Sequence, residues 1–239
     1  MKRTTGNLLL AIALLATVSC ATYNGKAMQS VGEAAVISIQ CNRLVDMGSD
    51  KEFEAIAKLW VKSEAFDLGL AAARVNSDLF GAYARSLPFK LIGEQRLLSS
   101  DTYKAIGSGG IAMIPAQQVN VPPGYFPVSL DNSKGVRELI ARFPEVNGFV
   151  WVEVRYALVK NSTFVGTVIA SMRADLTLTV LDRSGRGVLR HTETGEDPDD
   201  LRIPDIGYVK PSYVAAAAVR ATARASAAMA RWLEAKGAR

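Results

Sequence analysis

The sequence predicts a mixed α/β domain of the α+β kind, with a sheet that ends in a C-terminal antiparallel meander and helices packed mainly on one face. Three observations predict it. Ala34 to Cys41 is a continuous apolar run, suited to a strand buried on both faces. Three stretches between Val150 and Glu193 are separated by turn residues, the first two with clear period-two alternation. A long Ala-rich segment, Tyr213 to Ala235, has Pro211 at its start and Gly237 at its end. With 49% hydrophobic and 21% charged residues, the 239-residue chain has enough apolar surface for a sizeable core.

The elements follow in order. After the first strand, Phe53, Ile56, Ala57 and Trp60 recur at helical spacing and form one stripe. Leu79, Tyr83 and Leu87 continue at four-residue intervals until Pro88 stops the run. Phe89 to Leu91 is a short second strand, and Ser99-Ser100-Asp101 caps a small helix through Tyr103 and Ile106. From 107 to 131, repeated Gly and Pro exclude any long regular element. That loop also holds Ile111, Met113, Ile114, Tyr125 and Phe126, too apolar for a plain linker, so it is expected to lie over the domain or to meet a partner. A helix from Ser133 to Phe143 turns Val136, Leu139, Ile140 and Phe143 inward.

In the meander, Val150, Val152, Val154, Tyr156 and Leu158 alternate with Trp151, Glu153, Arg155, Ala157 and Val159. A turn is expected at Lys160-Asn161-Ser162 and another at Asp182-Arg183-Ser184-Gly185, with the third strand starting at Val188. The alanines of the closing helix permit close approach to the sheet, while Arg220, Arg224 and Arg231 face water.

The N-terminus carries the address. Lys2 and Arg3 precede an apolar run from Leu8 to Val18, whose eleven residues cover roughly 17 Å as a helix, too short for a hydrocarbon core of roughly 30 Å. A basic start, a short apolar core and small residues after it describe an export signal. Thr17-Val18-Ser19-Cys20 resembles the lipobox of bacterial lipoprotein precursors, with Thr17 where Leu is usual. The resemblance implies cleavage before Cys20 and lipid on its thiol, and Ala21 implies an outer-membrane anchor facing the periplasm. The expected organisation is a signal peptide over 1–19, the lipidated Cys20 and a polar tether over 20–32, and a single domain over 33–239. Removing Lys2 and Arg3 lowers the formal charge from +5 to +3, with the basic residues dispersed, which argues against a nucleic-acid partner.

The Ala34–Cys41 strand, Phe89-Lys90-Leu91-Ile92, Val146-Asn147-Gly148-Phe149-Val150, Thr177 to Gly185 and the Ala-rich closing helix together resemble the α/β module of envelope lipoproteins of the CsgG, LpoB and TolB N-terminal group. The likeness spans roughly 34–236 and is one of element order and strand-turn style, so it transfers no functional residues. It implies a non-enzymatic envelope role in assembly, secretion or activation of a partner.

Residues with catalytic potential are sparse. The one histidine, His191, is expected on a polar edge position of the third strand. There is no Gly-x-Ser-x-Gly elbow, and Gly107-Ser108-Gly109-Gly110 lacks the Gly-Lys-Ser/Thr of a phosphate loop. Glu193, Glu196, Asp197, Asp199 and Asp200 are expected to form a solvated turn, since Pro198 breaks any Ca²⁺-loop spacing. Cys41 is expected to be a small buried hydrophobe. No cofactor and no metal are expected.

Trp151, Glu153, Arg155, Arg173 and Asp175 share the mixed sheet face, either as solvated cross-strand ion pairs or as a docking surface centred on Trp151 and Arg155. With Tyr125 and Phe126, these two are the candidate partner-binding residues. The expected function is a lipid-anchored, non-catalytic envelope protein that binds another protein or itself. The alternatives are an envelope hydrolase using carboxylates in a cleft, and a ring that inserts strands into a membrane.

Overall fold

The period-two pattern after Gly148 produces the two longest strands, β5 (Gly148–Phe164) and β6 (Thr167–Asp182), which pair antiparallel along their whole length. The structure, a computed structural model, describes residues 22–48, 60, 62–109, 113–131, 133–164, 167–204 and 209–237. The export-type segment, Cys20 and the helical stripe at Phe53, Ile56 and Ala57 lie outside the described residues.

β5 does not turn at Lys160-Asn161-Ser162. The ladder slips there by one residue and the strand continues to Phe164, because a bulge absorbs the extra residue without ending the pairing. β7 (Gly187–Glu196) pairs antiparallel with β6 across the expected turn at Asp182. Gly185 takes φ +80° in that turn, and Asp182 Oδ1 accepts hydrogen bonds from the backbone N–H groups of Ser184 and Arg186.

β2 (Glu33–Asp46) lies parallel to β5, and β3 (Lys90–Leu91) lies parallel to β2. Three short strands complete the sheet: β1 (Thr22–Tyr23) on β7, β4 (Val119–Asn120) on β2, and β8 (Leu201–Pro204) on β6. Among the described residues, eight strands thus form one sheet in the order β1-β7-β6-β5-β2-β3, with β4 and β8 off that path.

Most of the helical packing on the sheet is that of the C-terminal helix on one face, and the other face is covered in part, by the loop that Ser38 holds and by Phe143. The approach of that helix is close because Gly195 of β7 has no side chain: a Cβ there would stand 2.3 Å from Ala225 N. Labelling helices in chain order, α1 is Gly25–Gln29, and α2 (Gly69–Asp78) runs through a π-helical turn at Leu79–Tyr83 into α3 (Ala84–Ser86). Then come α4 (Glu94–Ser99), α5 (Asp101–Gly109), α6 (Ser133–Ala141) and α7 (Pro211–Gly237). Tyr83 Oη meets Ser226 Oγ at 2.6 Å, joining the π turn to α7, and Tyr156 Oη of β5 meets Thr222 Oγ1 at 2.8 Å.

The odd-numbered residues of β5 point the other way. There Phe149 packs edge-on against Phe143, just past α6, with ring centroids 6.3 Å apart. Val136, Leu139, Ile140 and Phe143 are all buried.

Residues 22–32 do not form a free tether. Thr22 and Tyr23 pair with β7, and Asn24 caps α1 through its side-chain oxygen on Ala27 N. Met28 and Val31 are buried in the core, which fixes the segment. Among the described residues, no helix is long and apolar enough to cross a membrane.

Candidate functional site

A polar concavity sits on the sheet face opposite α7, and its geometry starts from a bulge in β2. Val36 pairs with Val150 and Ser38 with Trp151, so Ile37 is an extra residue with no rung of its own. Its free carbonyl accepts a hydrogen bond from Tyr103 Oη of α5 at 2.8 Å. Beyond the bulge Ile39 and Cys41 face α7, while Ser38 and Gln40 face away from it, beside Trp151 and Glu153. An apolar run that the sequence presents as buried on both sides therefore delivers two polar side chains to one face.

Ser38 then ties down the long loop. Its Oγ donates to Phe126 O at 2.9 Å and accepts from Val128 N at 3.3 Å. Tyr103 Oη also accepts from Phe126 N at 3.3 Å, and its ring lies 5.5 Å from that of Phe126. Phe126 seats against Gly107, where a Cβ would come within 2.3 Å of the phenyl ring. Of the two alternatives for this loop, lying over the domain is the one observed.

That placement changes the standing of the candidate partner-binding residues. Trp151 is 3% exposed and Tyr125 4%, and Phe126 is half-buried against the core. Trp151 and Tyr125 are covered by the loop and the sheet, and Phe126 is covered in part. Arg155 alone of the four is exposed. Cys20 lies outside the described residues.

Between the sheet and the loop remains a cleft of about 130 Å³. Gln40, Trp151, Thr179 and Arg190 form its wall, and Ile114 with Ser129, Leu130 and Asp131 its roof. Glu153 and Arg155 stand at one end. They do not pair across strands: Arg155 Nε and Nη2 donate to the two carboxylate oxygens of Glu153 along the same strand, at 2.9 and 3.1 Å. This holds the Arg155 guanidinium more firmly charged than usual, chiefly through that hydrogen bond. Arg173 and Asp175 pair in the same i, i+2 manner at 3.3 Å, beside a more open groove that also holds Leu44 and Met47.

Two atoms of the cleft wall are buried without a hydrogen-bond partner among the described residues: Gln40 Oε1 and Trp151 Nε1. Gln40 is 5% exposed. Both atoms are shielded from the open space of the cleft, as are the similarly buried Tyr125 Oη and Trp60 Nε1 elsewhere in the core. The sequence pattern shows Trp151 but not Gln40, Arg190 or the roof, since these meet only through strand register and loop placement.

The other sequence candidates are structural. His191 is mostly buried rather than on a solvated edge. Cys41 is fully buried, and burial pushes its thiol up to about 12. The acidic stretch is not a plain solvated turn: Asp197 is buried and takes two hydrogen bonds from Arg220, at 2.8 and 2.7 Å. Asp200 accepts from Asn161.

No protein-family model matches the chain, and no curated protein matches it. Among solved structures, the chain is similar to lipoprotein GNA1162 from Neisseria meningitidis, at 9% identity and a TM-score of 0.31, over 69% of this chain and 82% of that one. It is also similar to the hypothetical protein CT253 from Chlamydia trachomatis, at 10% identity and a TM-score of 0.32, over 86% and 97%. Likenesses at this level carry no argument about what this chain does.

Proposed function

We propose that this is a lipid-anchored, non-catalytic envelope protein that acts by binding another protein or a further copy of itself. The observation that carries the reading is the N-terminal sequence: basic Lys2 and Arg3, the apolar stretch Leu8 to Val18, then Ser19-Cys20-Ala21. The element order shared with the envelope-lipoprotein module supports the same reading, in assembly, secretion or activation of a partner at the outer membrane. The surface offered to a partner differs from the one the sequence suggests. With Trp151 and Tyr125 covered, the exposed large apolar side chains among the described residues are Leu44, Leu70 and Tyr213, with Tyr23 less so, and Arg155, paired with Glu153, is exposed on the sheet face.

Two measurements test this. Intact-mass analysis of material from the native membrane should find a chain starting at acylated Cys20, and Cys20→Ser should leave an uncleaved, unacylated precursor. Unmodified Met1 in cytosolic material would overturn the location and the role with it. Cross-linking in cells should then capture a partner, or a second copy, through photoreactive groups at positions 70 and 213.

A further inference from the structure

We propose that the surface made by Tyr23, Trp232, Lys26 and Lys236 is a docking site for a bilayer that contains anionic phospholipid. The inference rests on the reading of Cys20 as an acylated residue, which brings lipid to a position just before Thr22, where β1 starts. The site joins the first described strand to the last helix. Tyr23 lies over the start of α1, where a Cβ on Gly25 would stand 3.4 Å from its ring. Its ring meets the Trp232 indole edge-on at 5.9 Å. The Lys236 ammonium sits over both rings, 5.7 Å from the centroid of Tyr23 and 5.8 Å from that of Trp232. Tyr23 is exposed and Trp232 half-buried, whereas Trp60 and Trp151 are buried. Rings with an apolar body and a polar tip are the ones that settle at a membrane–water interface.

Charge argues the same way. Lys26 is exposed on α1, and the exposed Arg190 pairs with Thr22 in the ladder. Of the carboxylates near by, Glu193 is in contact with His191, and Glu234 lines a separate groove with Arg85 and Ser86. A basic surplus beside two aromatic rings matches the phosphates of anionic lipid, whose attraction acts within about a Debye length. The patch is too small to hold a protein partner by itself. Anchored through Cys20, it meets the bilayer as an intramolecular event, for which weak contacts suffice.

The test reconstitutes the full chain, as extracted from its own membrane, into vesicles of phosphatidylethanolamine and phosphatidylglycerol whose acyl chains carry bromine near the interface. Bromine quenches only an indole close to it, and Trp232 is the half-buried one of the three tryptophans. The parent's tryptophan emission should fall on brominated vesicles relative to unbrominated ones, and Trp232→Phe should abolish most of that fall. Lys26→Glu combined with Lys236→Glu should reduce the quenching about twofold or more at low salt. Intact mass and flotation with the vesicles read the anchor separately. A chain that is acylated and floats but is not quenched overturns this site and leaves the anchor standing, whereas an unacylated chain overturns both. Quenching of Trp232→Phe, or of the double lysine variant, equal to the parent's overturns the site as well.

Discussion

The imidazole of His191 lies flat against the indole of Trp232, with ring centroids 3.7 Å apart and planes 12° from parallel. Glu193 Oε1 is 2.7 Å from Nε2 of the same ring, and Tyr23 meets the indole edge-on at 5.9 Å. The chain's one histidine is therefore a joint between β7, β1 and α7. Its packing on the indole and its contact with Glu193 hold the ring in place between these elements.

His191→Ala and Trp232→Ala should each lower stability by about 1–2 kcal/mol, less than a fully buried aromatic, because Trp232 is half-buried. Their double-mutant cycle should show coupling of about 0.5–1.5 kcal/mol. Urea unfolding of the four proteins measures it, and strictly additive losses would mean that the stack has no energetic weight.

Asp197 and Arg220 form an ion pair with the Asp197 carboxylate fully covered and Arg220 43% exposed. Arg220→Ala strands a buried charge, and should cost about 2 kcal/mol, below the full penalty of a wholly buried pair. Adding Asp197→Asn to that variant should recover part of the loss, since an amide tolerates the unpaired site better. A double variant less stable than Arg220→Ala alone would contradict this.

Gly195 is the contact point of sheet and helix. An alanine there would place its Cβ 2.3 Å from Ala225 N and 2.4 Å from Ala221 O, backbone atoms that cannot step aside. Gly195→Ala should lose about 3 kcal/mol or more, or fail to fold. Gly187→Ala, with nothing within 4 Å, should stay within about 0.5 kcal/mol of the parent. Thermal unfolding of both variants decides it.

Cys41 makes a prediction about pH. Its thiol is raised from 9.0 to about 12 by burial, so the folded state keeps a proton that the unfolded state loses. The sign follows: stability is unaffected below about pH 9 and falls as pH rises from 9 towards 12. Tyr83, Tyr103, Tyr125 and Tyr156 are raised in the same sense, chiefly by burial, and steepen the fall above pH 10. Tm measured from pH 7 to 11 should be level and then decline, with a shallower decline in Cys41→Ala. The native thiol should also resist alkylation at pH 8 and react once the chain is unfolded.

Much of the fold is legible in the sequence because burial imposes a period on it. The alternation at 150–158 and 172–180 marks β5 and β6, and the Ala-rich stretch after Pro211 marks α7. What is not legible depends on pairing. Nothing local announces that Ile37 is an extra residue, yet that bulge turns Ser38 and Gln40 towards the cleft. Gln40 and Arg190 are far apart in the chain and line one space only because β2, β5, β6 and β7 are neighbours in that register. β8 follows the acidic stretch, and its alternation of buried Leu201 and Ile203 with exposed Arg202 is too short to announce a strand by itself. Residues 22–32 look polar because Met28 and Val31 are their main core contacts.

That last segment bears on geometry at the bilayer. Sheet pairing begins at Thr22, two positions beyond Cys20. Two extended residues span roughly 7 Å, so acyl chains on that cysteine would leave the body almost no leash. It would ride against the headgroups on the side bearing β1, with Lys26 and Lys236 close by. Anything it engages would then have to come to the membrane surface, within the height of one small domain.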